Sequence, residues 1–128
     1  MLSYNLKIKH GDLCKLITSF KSSQTVNFLN NKIRLEWTLE LFDALSYIHS
    51  LHIIHRDLNP TNIFLFDNKN KPHMSIKIGD FGLSKECEAQ QKTFVGTRHY
   101  FSPELLKKEA YTFKTDVWYT FLFLILFH

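Results

Sequence analysis

Apolar residues follow helical spacing from Lys32 to about Leu51, at Ile33, Leu35, Trp37, Leu39, Leu41, Phe42, Leu45 and Ile48. The apolar face is wide, so the pattern predicts one long, largely buried helix. Two short apolar runs follow, Ile53-Ile54 and Ile63 to Phe66, with a polar loop between them. A turn-rich stretch from Asp67 to Pro72 then leads into Ser75-Ile76-Lys77-Ile78, which predicts a β-hairpin holding Asn62 and Asp80 at adjacent strand ends. Upstream, Met1 to Lys9 alternates like a strand, and Gly11-Asp12-Leu13 opens a helix with Asp12 as its N-cap. The chain from there to Asn31 becomes polar and rich in Ser and Asn after Phe20, as expected of a linker between helices. Near the carboxyl end, Tyr119 to Phe127 is almost wholly apolar. A bilayer span needs ~17 to 25 residues, so this run predicts a buried helix and no stable membrane span. The fold class expected is α+β, mainly helical, with one small hairpin.

Composition narrows the class. With 128 residues, 45% apolar and 22% charged, the chain is long enough and apolar enough for one domain with a real core. The net charge of +4 is spread over scattered lysines and arginines with no basic run beyond two residues, so no nucleic-acid partner is expected. Cys14 and Cys87 lack C-x-x-C spacing, which argues against a zinc site or disulfide framework. A reducing, intracellular location is expected, cytoplasmic or nuclear, and no secretory signal pattern is present at the amino end. His49, His52 and His55 lie close in sequence, but no carboxylate or cysteine completes a ligand set.

The chemistry concentrates in His55-Arg56-Asp57-Leu58-Asn59-Pro60-Thr61-Asn62 and in Asp80-Phe81-Gly82. Asp57 is a carboxylate able to take the proton of an attacking hydroxyl, while Asn62 and Asp80 offer oxygens to a hard cation. Asp, Asn, Pro and Gly are also ordinary turn formers. Both stretches in this order, however, supply what phosphoryl transfer asks of a protein, namely positioning and electrostatic stabilisation.

These two stretches resemble the H-R-D-L-x-x-x-N and D-F-G motifs of the eukaryotic protein kinases. Gly96-Thr97, Ser102-Pro103-Glu104 and Asp116-Val117-Trp118 resemble further motifs of that family in the same order. The Asn-Ile-Phe-Leu after the loop is similar to NIMA-related kinases and to the kinases of translation initiation factor 2. The resemblance implies ATP and Mg2+ as cofactors and a protein substrate. It implies Asp57 as catalytic base, Asn62 and Asp80 on metal, Asp12 near the ribose hydroxyls and Phe64 under the adenine, although Phe64 also reads as a plain core aromatic. It implies that Thr97 contacts the catalytic Asp, which favours serine/threonine specificity, and that Arg56 captures a phosphate on Thr93. Residues 1–11 would be the end of the amino-lobe sheet and the hinge, and 12–128 the upper carboxy lobe, truncated in the central helix.

The family pattern fails in places. Asn59 stands where the family has a lysine that reaches the transferring phosphate, and a neutral amide cannot supply that field. No glycine-rich loop can be built from Gly11, Gly79, Gly82 and Gly96, and the arginine partner of Glu104 is absent. The expected protein is therefore a serine/threonine kinase fragment, with a pseudokinase-like binding module and a non-functional truncated gene product as alternatives. Residues 117–127 are expected to lack their packing partners and to attract chaperones or a second copy of the chain.

Overall fold

A computed structural model describes residues 11–20, 30–81, 85–86 and 101–127. The alternating stretch before Gly11, the linker after Phe20, Gly82, Ser84, Thr93, Gly96 and Thr97 lie outside the described residues. Helix α1 (Leu13–Phe20) begins as its sequence predicts: Asp12 Oδ1 accepts from the Lys15 N–H at 2.8 Å. Helix α2 (Asn31–Ser50) is capped by Asn30, whose Oδ1 accepts from the Ile33 N–H at 3.0 Å. It stops at Leu51, and His52 turns the chain with a positive φ of 58°.

Strand β1 (Ile53–Ile54) leads into the polar loop, which closes with a short helical turn at Pro60–Asn62. Strands β2 (Ile63–Phe66) and β3 (Ser75–Ile78) form the predicted antiparallel hairpin, with Ile63 opposite Ile78 and Phe66 opposite Ser75. The sequence reading had no place for strand β4 (Lys85–Glu86), which pairs antiparallel with β1. Helices α3 (Pro103–Leu106) and α4 (Phe113–Phe127) complete the described chain.

The main core joins α1, α2, the hairpin and α4 through Leu13, Trp37, Leu41, Leu65, Ile76 and Phe123. A second cluster, Leu45, Ile48, Leu58 and Tyr119, lies beneath the polar loop. Each such side chain contributes ~1.5 to 3 kcal/mol on burial. Polar contacts then set where the hairpin sits on α2. Trp37 Nε1 donates to the Met74 carbonyl at 2.7 Å, while Glu40 accepts from the Ile76 N–H at 2.9 Å, the Ser75 hydroxyl at 2.9 Å and Lys71 Nζ at 2.6 Å. Glu36 adds contacts to Lys71 and His73. The hydrogen bond to Glu40 leads in raising the Lys71 pKa. Partial desolvation pushes Glu36 up, but His73, Lys71 and Lys32 together outweigh it and hold its carboxyl below the usual range. A depressed acid loses its contribution as pH falls through its lowered pKa, and a raised base loses its own as pH rises through its higher one, so the contact between Glu36 and Lys71 is present at neutral pH.

Asp116, in the first turn of α4 and with no exposed surface, ties that helix to the polar loop. Its Oδ2 accepts from the His55 N–H at 2.9 Å and faces His49 Nε2 at 2.8 Å, and its Oδ1 accepts from the Arg56 N–H at 3.0 Å. Arg56 is held in the left-handed region at φ 75°, a conformation that costs about 1 to 3 kcal/mol in a non-glycine residue unless its surroundings enforce it.

Two expectations need correction. The wide apolar face of α2 is buried only along Ile33, Trp37, Leu41, Leu45 and Ile48, while Leu35 and Leu39 are each 56% exposed. Conversely, the apolar run of α4 is not wholly unpartnered, because Tyr119 and Phe123 are buried against α2 and the hairpin. Val117, Phe121 and Ile125 form the exposed stripe of that helix. Helical periodicity reports how much of a surface is apolar, whereas the neighbours decide which side is covered.

Two outcomes follow. Asp116→Ala removes the acceptor of two buried N–H groups and of the His49 ring, so a loss on the order of 3 kcal/mol is expected in denaturant unfolding, and a loss under about 1 kcal/mol would contradict the anchor. Residues 1–128 expressed alone should self-associate in size-exclusion chromatography, and Phe121→Glu with Ile125→Glu should shift them toward monomer; a monodisperse wild-type monomer would refute the stripe as the cause.

Candidate active site

His55 is fully buried between the loop and the hairpin. Its Nε2 lies 2.8 Å from the Gly79 carbonyl, and its Nδ1 accepts from the Asp57 N–H at 3.3 Å. A ring carrying its proton on Nε2 satisfies both contacts. The edge of the pair His55 and Phe81 is also packed, with ring centroids 4.9 Å apart. One imidazole thus links the residue before Asp80 to the backbone of Asp57.

The Asp57 carboxylate is gripped by two side-chain amides. Asn59 Nδ2 donates to Oδ1 at 2.9 Å, and Asn62 Nδ2 donates to Oδ2 at 3.1 Å and to the Asp57 carbonyl at 2.8 Å. The other end of Asn59 caps the Pro60–Asn62 turn, where its Oδ1 accepts from the Thr61 N–H at 2.9 Å and from the Thr61 hydroxyl. Pro60 suits the first position of that turn, because its fixed φ is already helical and no N–H is needed there. Asn59 is buried at 4% exposure, so both ends of its side chain are spent inside the loop.

Asn62 and Asp80 lie at adjacent strand ends, as the hairpin predicted. The Gly79 N–H donates to the Asn62 carbonyl at 2.9 Å, which sets Asp80 beside the end of β2. Asp80 itself is exposed and left-handed at φ 53°. A Cβ at Gly79 would overlap the ring of Phe64, so any larger residue there would require that ring to move. With its amide nitrogen committed to Asp57, Asn62 keeps its side-chain oxygen as one candidate donor to a cation, and the Asp80 carboxylate, next to the backbone bond between Gly79 and Asn62, is a second. Among the described residues no group of three His, Cys, Asp or Glu side chains is placed to hold a metal, so a cation here would rest on these mixed oxygens. A hard divalent ion such as Mg2+ fits that donor type.

Asp12 and Phe64 are neighbours, joined by an antiparallel bridge of their backbones. Arg56 is 1% exposed, with its guanidinium 4.5 Å from the centre of the Tyr111 ring, a cation-π contact. The structure therefore gathers Asp57, Asn59, Asn62 and Asp80 at one place, puts Asp12 with Phe64 at the start of α1, and places Arg56 against the segment before α4. Thr93 and Thr97 lie outside the described residues. Sequence reasoning missed Thr61, although an Asn-Pro-Thr run is a known turn signal in which the Asn side chain bonds the backbone two residues on. It also missed His49 and the contacts of Asp116, which join residues about sixty positions apart and have no local signature.

Residues 4–126 match the protein kinase domain family. The chain is 41% identical over 111 residues to the serine/threonine-protein kinase Nek11 of Mus musculus, covering 84% of this chain and 16% of that protein. It is 39% identical over 100 residues to an Aurora kinase of Dictyostelium discoideum, covering 77% of this chain and 25% of the relative. A probable serine/threonine-protein kinase nek2 of the same organism is 38% identical over 113 residues, covering 84% and 25%. The chain thus spans between a sixth and a quarter of the length of these relatives. Matched over nearly all of its own length, and at such identities, it belongs to the protein kinase domain family, serine/threonine type.

Proposed function

We propose that the protein carrying this sequence transfers the γ-phosphoryl group of ATP to a serine or threonine hydroxyl of a protein substrate. The observation that carries this reading is the Asp57 carboxylate, oriented by Asn59 and Asn62 and tied through Asn62 and Gly79 to Asp80. Asp57 takes the hydroxyl proton as the oxygen bonds to the γ-phosphorus and the bond to the β-phosphate oxygen breaks. The two amide donors fix the direction of the carboxylate, so the proton acceptor is in place before substrate arrives. Asn62 and Asp80 are the residues that would hold Mg2+, which when bound neutralises charge on the phosphates.

In this reading Asp12 and Phe64 border the nucleotide, with Asp12 using the capacity left by its N-cap bond for the ribose. Residues 12–128 belong in this reading to the upper carboxy lobe, and 1–11 to the end of the amino-lobe sheet and the hinge. Thr97 contacts Asp57, and Arg56 pairs with phosphate on Thr93, sharing its guanidinium with the face of Tyr111. No helix among the described residues is long and apolar enough to cross a membrane.

A second reading, a non-catalytic binding module, draws on Asn59, whose neutral amide is spent on Asp57 and Thr61 where a cation would face the phosphate. Retention of Asp57, Asn62 and Asp80 together favours catalysis. In the full-length protein Asp57→Ala should lower phosphotransfer by about 10²- to 10⁴-fold with ATP-Mg affinity nearly unchanged, measured by phosphate incorporation and calorimetry. Activity retained at a tenth or more of wild type would overturn the assignment.

A further inference from the structure

We infer that Thr61 is a positioning residue for the Asp57 carboxylate, acting through Asn59; the inference rests on the assignment of Asp57 as base. An asparagine amide has two ends of similar shape and opposite hydrogen-bonding character, and a half-turn about its last bond exchanges them. Asn59 Nδ2 donates to Asp57 Oδ1 at 2.9 Å. After a half-turn the same place would hold an amide oxygen against a carboxylate oxygen, a repulsive contact with no proton between them. What opposes the half-turn is at the far end of the side chain. There Asn59 Oδ1 takes two donors from one residue, the N–H of Thr61 at 2.9 Å and its hydroxyl.

The N–H alone would be supplied by any residue but proline. The hydroxyl is the part that the identity of residue 61 decides, and it converts a single cap into a two-donor clamp on the amide oxygen. The relay runs Thr61, Asn59, Asp57 entirely through neutral donors, and Asn62 grips the other carboxylate oxygen independently at 3.1 Å. Losing the hydroxyl therefore loosens one side of the base and leaves the other held. A loss of one such hydrogen bond corresponds to roughly a two- to tenfold effect.

Thr61 is itself exposed and lines a surface groove with Asp12, Cys14, Lys15, Thr18 and Ser19 beside α1. A direct contact with substrate in that groove would make a different prediction, and the kinetic test separates the two. In the full-length protein, Thr61→Val keeps the shape and removes the hydroxyl, and Thr61→Ser keeps the hydroxyl. Positioning predicts that Thr61→Val lowers kcat roughly two- to tenfold with KM for ATP and for peptide unchanged, and that Thr61→Ser recovers most of kcat. Combined with Asn59→Ala, Thr61→Val should add nothing further, since its route to Asp57 is already cut.

Wild-type kcat in Thr61→Val, a raised KM with unchanged kcat, or additive effects with Asn59→Ala would each overturn the inference. A readout independent of turnover is the side-chain amide signal of Asn59 in 15N NMR, identified by its loss in Asn59→Ala. Its proton exchange should accelerate in Thr61→Val and stay slow in Thr61→Ser, and unchanged exchange in Thr61→Val would sink the inference even in an inactive protein. If Asp57→Ala retains activity, the base assignment falls, and the amide signal still decides whether Thr61 holds Asn59.

Discussion

Everything at the candidate site hangs from the buried carboxylate of Asp116. Burial of an ionised side chain is costly unless it is well hydrogen-bonded, and this one receives the His55 and Arg56 N–H groups and faces the His49 ring. Those two N–H groups belong to the residues directly before Asp57. The left-handed backbone at Arg56 turns the chain so that both can reach one carboxylate. The first turn of α4 thereby sets the height and direction from which Asp57 emerges, although no atom of α4 is assigned a part in the chemistry.

From that anchor, precision is passed along by polar contacts of modest individual strength. His55 bridges the loop to the Gly79 carbonyl, Asn62 bridges Asp57 to the hairpin, and Glu40 holds the hairpin itself on α2. The apolar core beneath could tolerate small slides of one element on another, since hydrophobic attraction is non-directional. Directional bonds remove that freedom where oxygens must converge. The family's usual cation after the catalytic aspartate is replaced here by an amide that grips the carboxylate. That amide, bonded at both ends, gives the loop internal order.

The two long helices are each divided between a covered and an uncovered apolar side. Trp37 and Leu41 on α2, and Tyr119 and Phe123 on α4, meet the hairpin or one another, while Leu39, Phe121 and Ile125 do not. Those outer stripes remain more than half exposed at Leu39, Phe121 and Ile125. The matched segment is only 16% and 25% of the length of two relatives in this family.

Local signals were legible from residues alone because their physics is local. The helix start at Asp12, the span of α2, the hairpin from Ile63 to Ile78, and the placing of Asn62 and Asp80 at adjacent strand ends follow from capping, periodicity and short-range spacing. The family is written in motifs that keep their order along the chain. What only the tertiary structure decided involves residues distant in sequence or alternatives equal in sequence. Which apolar side of α2 is buried depends on where α1, the hairpin and α4 lie, and periodicity is symmetric to that choice. That Asp116 holds His55 and Arg56 is a contact across about sixty residues. Whether Asn59 faces outward as a poor substitute for a cation or inward as a clamp is a matter of one side-chain rotation. The donors of Thr61 and the carboxylate of Asp57, brought to opposite ends of the same amide by the turn at Pro60, settled that rotation.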